Sequence, residues 1–464
     1  MTPKMEIPTY RQVISLAFCI IILIVAVVML VKGNASSFEI PIGVSAFVVS
    51  LYGLRIFFDF GKPDLRWVNV PVGATYDVAV IATVLFVGSF FLGYIILRPR
   101  LKLADIDVSA SFSDLVIARR ASWVLFFIGL IAVFATLIIA GGPMRYISNR
   151  GASEEISSIA AVQYSMMLGV VAAIIRIGVS FLQGNIDRRN DLKIGIAMAV
   201  PALAITLAEG SRRYALPLII GVTVSWFLIR RKAIPVFRMA VVAMLGIVLV
   251  LLPLESVREG GSNAGGSFLS AAIKFGGDPM GALEGLFSSQ STSMLPAFAM
   301  GIQDAQAASL DDGGGRYLLA ETVLQPIPQQ IWAGKPESLR NDLIAYRYGL
   351  SSSGCSSMCP TYGPVSTFYA DFGLPGTVLG GLFVGLFAAW WTKLCFRRGF
   401  FGVLAYAGTY WGFLYMWWSS ISALTIMILF FGIPILYLSY RSIRSKLDSS
   451  QAFNVNFPHA VGAE

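Results

Sequence analysis

Four carboxylates in this chain could take a proton from a hydroxyl nucleophile: Glu209, Glu255, Glu321 and Asp371. They matter because the single histidine, His459, lies in a polar tail. That position excludes histidine acid–base chemistry and histidine metal sites from the body of the protein, and leaves carboxylates as the natural bases. Spacing alone does not choose among the four. Cations suited to an anionic ligand stand near them in the sequence: Arg212, Arg213, Arg258, Lys335, Arg340 and Arg347, with Arg176 inside an apolar stretch. Arginine holds phosphate through a planar, bidentate fork. Trp332, Tyr346, Tyr348, Tyr362 and Tyr369 would suit stacking on sugar rings, although anchoring at a membrane interface is the commoner role for each taken singly.

The elements that must position these residues are helices in lipid. The 464 residues are 56% hydrophobic and only 13% charged, with a mean hydropathy of +0.72. A soluble protein carries about a quarter charged residues. Apolar blocks recur at 13–31, 40–58, 70–97, 121–141, 159–182, 194–208, 214–229, 238–254, 376–394, 400–418 and 420–438. Most are long enough to cross a hydrocarbon core of about 30 Å as a helix, and lipid leaves no other partner for the backbone of an open segment. The expectation is an all-α polytopic membrane protein of about eleven transmembrane helices (ten to twelve). The first block is long and lacks a small-residue cleavage site, so it is read as a retained span.

The net charge of +9 is not a nucleic-acid signature. The basic residues sit mainly in the short connections at 98–120, 183–193, 230–238 and 393–398 and at the start of the tail, which the positive-inside rule assigns to the cytoplasm. The segments 142–158, 209–213 and 255–375 then face outward. The side of the N-terminus stays open. Either Lys4 and Arg11 lie outside, against the usual trend, or one early block is counted wrongly.

The chain divides into a first transmembrane bundle of about eight helices at 1–254, a large periplasmic loop at 255–375, the last three transmembrane helices at 376–438 and a cytoplasmic tail at 439–464. The loop carries aromatics, helical periodicity and prolines, so it reads as a folded lid. Short helices lying on the membrane are expected at 268–275 and 280–287, and another helical run at 316–325. Pro326, Pro328 and Pro336, around Trp332 and Lys335, call for a rigid extended crossing. Ser338 is a good N-cap for a helix through Tyr348 with Gly349 as its stop, and on it Arg340 and Arg347 stand two turns apart along one face. Cys355 and Cys359 in the same loop are either a local disulfide or two free thiols. Residues 104–118 alternate polar and apolar and suit a segment lying along the cytoplasmic interface. The acid pair Asp105 and Asp107 has a metal-holding look but sits on the basic side, so no metal site and no cofactor is expected.

The turn Glu209, Gly210, Ser211, Arg212 and Arg213 brings an acid and two guanidiniums to the outer interface, next to the first amides of a helix, where an anion is favoured. Outward arginines run against the positive-inside trend, which favours a functional role over headgroup anchoring. Arg258, Lys335, Arg340 and Arg347 would build a basic cup on the same side. Arg176 at mid-helix would cost about 2.5–3.5 kcal/mol on insertion scales, so it needs a partner or a polar cavity unless it snorkels.

Together the turn at 209–213, the run Pro326, Ile327, Pro328, Trp332, Gly334, Lys335 and Pro336, and the run Tyr369, Ala370, Asp371, Phe372, Gly373 and Gly376 resemble the Wzy-type O-antigen or oligosaccharide repeat-unit polymerases. The resemblance extends to the architecture, many helices with one large late loop. It implies a glycosyltransferase C-like helical fold in the bacterial inner (cytoplasmic) membrane, with the active site facing the periplasm. It also implies metal-independent transfer of a growing glycan from undecaprenyl pyrophosphate onto a lipid-linked repeat unit. The implied partners are undecaprenyl-pyrophosphate-linked donor and acceptor glycans, membrane lipids and a chain-length regulator protein, with no nucleic acid. By the same resemblance Arg212 or Arg213 would contact the pyrophosphate, and Phe372 and Gly373 would frame the site. Where many members carry a glutamate ahead of the tyrosine, this chain has Thr367. The related O-antigen ligases depend on a loop histidine that is absent here. A flippase or transporter would show short loops and paired half-repeats, and no such duplication is visible.

Overall fold

The computed structural model describes residues 39–53, 66–67, 70–98, 108–148, 164–183, 185–209, 215–232, 294–310, 313–325, 334–348 and 362–455, with isolated positions besides. Among them β structure is limited to the pairing of Arg66–Trp67 with Val70–Pro71. The rest of the regular structure is helical. The longer early helices are α1 (Ile40–Val48, continued by a π-turn at Val49–Gly53), α2 (Gly73–Leu97), α3 (Phe112–Ile139), α4 (Met167–Leu182), α5 (Asn185–Glu209) and α6 (Ala215–Ile229). Then come α7 (Met294–Ala307), α8 (Arg316–Thr322), α9 (Leu339–Tyr348), α10 (Gly363–Phe396), α11 (Gly399–Tyr415), α12 (Ile421–Met427) and α13 (Ile433–Val455).

Four stretches among the described residues are long and apolar enough to cross a membrane: Thr75–Leu97, Phe112–Ile139, Gly363–Phe396 and Ile421–Arg444. Large apolar side chains such as Ile131, Ile138, Leu379 and Phe383 point outward from them. Such a surface suits lipid rather than water. The chain is a helical protein of the integral membrane kind.

The centre of the bundle is α2 against α10. They run in the same direction, Phe86 beside Gly381 and Phe90 beside Gly385, and a Cβ on Gly385 would collide with the Phe90 carbonyl. Small residues permit this close backbone approach. Trp417, fully buried, packs edge-on against the rings of Phe86 and Phe90 at 5.5 and 5.6 Å, and its carbonyl accepts from the Tyr52 hydroxyl at 2.9 Å. The end of α1, the middle of α2 and the segment after α11 are thereby tied together.

Polar contacts collect the basic connections at one end of the bundle. Arg98 pairs with Glu39 at 3.1 Å. Asp191 receives Arg119 at 2.7 Å and Arg176 at 2.6 Å. The Arg231 guanidinium donates to the Ile106 carbonyl at 3.0 Å, Ser439 donates to the Arg398 carbonyl, and Ser442 donates to Asp114. From this end α1, α3, α5 and α11 run away, while α2, α4, α6, α10 and the α12–α13 unit run toward it.

Several boundaries differ from those read in the sequence. α3 begins at Phe112, so residues 112–118 are its first turns rather than a strip along the interface. A capping box explains it: Ser111 Oγ accepts from the Asp114 amide at 3.3 Å while Asp114 accepts from the Ser111 amide at 2.8 Å. α5 begins at Asn185, inside the basic connection, and its second turn carries Asp191, buried under the two arginines. α10 begins at Gly363, ahead of the span expected from 376, and bends at Gly373 (φ 63°, ψ −154°) just before Pro375. That backbone conformation suits glycine, and proline removes a helical hydrogen bond. The last helix runs on to Val455, into the stretch read as tail. Within 255–375, α7, an element not read in the sequence, is buried against α2 and α10. The expected helices at 268–275 and 280–287, and Cys355 and Cys359, lie outside the described residues.

Candidate functional site

A polar cavity of about 170 Å³ opens at the end away from the basic connections. Glu321 and Gln325 reach it from α8 and the turn after it, Ser338, Arg340 and Asn341 from the start of α9, and Tyr362, Ser366 and Thr367 from the start of α10. Tyr415, Ser419, Ser420 and Ser422 arrive from the α11–α12 junction, Tyr164 from the residues ahead of α4, and Met167 and Met427 supply apolar wall. Each of α4, α10, α11 and α12 therefore places a terminus at the cavity. The start of α9 is set as the sequence indicates, with Ser338 Oγ accepting from the Asn341 amide at 3.3 Å.

Glu321 is the focus. Its side chain is 3% exposed, and Oε2 accepts from the Thr367 hydroxyl at 2.9 Å. Burial pushes its pKa up to about 7, with the negative charge of Asp371 adding to the rise, while the Thr367 and Ser420 hydroxyls and Arg340 pull the other way. A carboxyl poised near neutrality can both accept and return a proton.

α9, which carries Arg340 over the cavity, is held at two further points. Arg347 pairs with buried Asp304 on α7, Nε to Oδ2 at 2.6 Å, and Asp342 pairs with Arg316 on α8. Burial raises the pKa of Asp342, and the Arg316 charge opposes that rise. Lys335 donates to the carbonyls of Gln325 (3.4 Å) and Ile327 (3.0 Å), which fixes the turn below the cavity.

The candidate residues thus separate. Glu321 and Arg340 come together in the cavity. Arg347 and Lys335 are engaged with Asp304 and with backbone carbonyls. Asp371 is buried, both carboxylate oxygens receiving amides of α8. Tyr369 packs on Phe298 with ring centres 5.8 Å apart, and Trp332 is exposed. Arg176 lies at the opposite end with Asp191. Glu209 is the last residue of α5, and Arg212, Arg213, Glu255 and Arg258 lie outside the described residues. Among the described residues no group of three His, Cys, Asp or Glu side chains could hold a metal.

Sequence reasoning passed over Ser419, Ser420 and Ser422. A signal was present: these serines interrupt the last two apolar blocks on the same side as the long loop. The arrangement as a whole offers one carboxylate near neutrality, one guanidinium and a wall of hydroxyls, amides and tyrosines, which suits a neutral polyol beside an anionic group. No family model, curated protein or solved structure matches this chain.

Proposed function

We propose that this chain is a membrane glycosyltransferase of the Wzy type, a polymerase of undecaprenyl-pyrophosphate-linked oligosaccharide repeat units, with Glu321 as its general base. The observation that carries the reading is the cavity holding Glu321 and Arg340 at the end opposite the basic connections. The positive-inside rule assigns those connections to the cytoplasm, which turns the cavity toward the periplasm, where flipped lipid-linked glycans stand. About eleven spans in a bacterial inner membrane belong to this reading.

In the proposed reaction a sugar hydroxyl of the acceptor gives its proton to Glu321 as its oxygen attacks the anomeric carbon of the donor glycan. A new glycosidic bond forms, the bond from that carbon to the pyrophosphate oxygen breaks, and the electron pair leaves with undecaprenyl pyrophosphate. Arg212 or Arg213 would take up the charge of that leaving group, since guanidinium matches pyrophosphate in shape and sign. Thr367 stands where many members of the resembled family carry a glutamate, and its hydroxyl meets Glu321 instead. The base would thus be supplied from α8 rather than from α10.

The test is genetic. The gene is deleted in its host and restored as wild type, Glu321→Gln or Arg212→Ala, and the surface glycan is displayed on a gel. Both variants should reach the membrane, lose the long chains and keep a single-repeat band. A wild-type ladder from Glu321→Gln would remove it as base, and a wild-type ladder from Arg212→Ala would remove the pyrophosphate role. Loss of every repeat unit, single ones included, would indicate flipping or ligation.

A further inference from the structure

α8 has seven residues and no side-chain N-cap of its own. A helix this short does not hold itself in water, and its first amides need partners. Those partners come from α10. Asp371 Oδ1 accepts from the Tyr317 amide at 3.1 Å and Oδ2 from the Leu318 amide at 2.7 Å. The backbone just ahead docks on the same two residues, with Gly313 donating to the Ala370 carbonyl at 3.0 Å and Gly314 to the Asp371 carbonyl at 3.2 Å. A Cβ on Gly313 would collide with Asp371 Oδ1 and the Tyr317 ring, so only glycine lets the chain lie this close. Glu321 stands one turn beyond Tyr317, on the same face of α8.

We propose that Asp371 is a positioning residue: by binding the first amides of α8 it holds Glu321 against Thr367 inside the cavity. Its consequence for turnover rests on the reading of Glu321 as base, but the placement of Glu321 does not. With both oxygens engaged by amides, Asp371 is poorly disposed to take a substrate proton itself. Its negative charge has a second effect, holding Glu321 toward its protonated form. The charged groups around Glu321 are Asp371 on α10 and Arg340 on α9, while the Thr367 and Ser420 hydroxyls face it and Tyr164, Tyr362 and Tyr415 line the same cavity.

The full-length purified chain, without substrate, is titrated by infrared spectroscopy. The protonated-carboxyl band of Glu321 is assigned by its loss in Glu321→Gln. In Asp371→Asn the amide oxygen still accepts from α8 but the charge is gone, so the midpoint of the band should fall below the wild-type value near 7. In Asp371→Ala the helix start is released as well, and the midpoint should fall further, toward the ordinary value of 4.5. Asp371→Asn isolates the charge, so the positioning role is read from the further fall in Asp371→Ala. Should the alanine variant fail to fold, Gly313→Ala, whose Cβ would collide with Asp371 Oδ1 and push α8 off α10, takes its place and should likewise lower the midpoint. A midpoint in Asp371→Ala equal to that in Asp371→Asn, or a wild-type midpoint in Gly313→Ala, overturns the proposal. Chain extension in the deletion host should be reduced in Asp371→Asn and lost in Asp371→Ala. If Glu321→Gln restores full chain length, the base assignment falls, while the infrared midpoints still decide the positioning role.

Discussion

The Thr367 hydroxyl donates to Glu321 Oε2 across 2.9 Å and so joins the part of α10 ahead of the Gly373 bend to the short helix α8. Residues 46 positions apart in sequence thereby share one buried hydrogen bond at the cavity. A hydrogen bond to the charged form favours ionisation, so Thr367 tempers the rise that burial imposes on Glu321.

Replacing Thr367 by Val removes that donor and keeps the side-chain shape. The Glu321 pKa should then climb above about 7 by ~0.7 units, the equivalent of about 1 kcal/mol of hydrogen bond. A base works only when ionised, so the acid limb of the pH–activity profile moves upward. The profile can be recorded with purified chain and the lipid-linked repeat unit extracted from the deletion host. An acid limb that stays in place would count against Glu321 as the base.

Glu321 also lowers stability, with a definite pH signature. Its folded pKa of about 7 lies above the ordinary 4.5, so between those values the native state keeps a proton that the unfolded chain has lost. Stability therefore falls as pH rises through that window and stays reduced above it, by on the order of 3 kcal/mol. Glu321→Gln, nearly isosteric and uncharged, should melt above wild type at about pH 8 and alongside it at about pH 4.5. Parallel melting curves at both pH values would show that the carboxyl is not held in this environment.

The pair of Arg347 with Asp304 holds α9 on α7, and Asp304 is buried. Arg347→Ala strands that carboxylate, a loss of about 3–5 kcal/mol for a broken buried pair. The thermal midpoint should drop, and glycan chains should shorten because Arg340 travels on the same helix. Removing both partners should cost less than the sum of the single losses, and additive single losses would show that the two residues are not coupled.

Arg176 gives the contrasting case. It shares Asp191 with Arg119 at the basic end, away from the cavity. Arg176→Ala should lower the thermal midpoint and the amount of protein in the membrane by an effect on the order of 2 kcal/mol. Chain length at matched protein level should not change. Short chains at normal abundance would assign Arg176 a part in the reaction.

Much of this was legible in residue order. Hydropathy declares helices in lipid, charge marks one end of the bundle, and Ser338 marks the start of α9, because these are local or compositional signals. Glu321 and Arg340 were visible as candidates, but so were Asp371, Arg347, Lys335 and Arg176, each a buried or loop charge with no partner evident in sequence. Their partners are distant in the chain: Asp304 for Arg347, the amides of α8 for Asp371, Asp191 for Arg176.

The sequence by itself determined a polytopic helical chain with one basic end, because lipid forbids an unsatisfied backbone and apolar length is read directly from residue order. It also made carboxylates the natural candidates for a base, since the single histidine, His459, stands in a polar tail. Tertiary structure alone decided which carboxylate lies buried in a polar cavity with its pKa raised toward neutrality. Burial and hydrogen-bond partners set a pKa, and both arise only when α8, α9, α10 and α12 meet around one cavity.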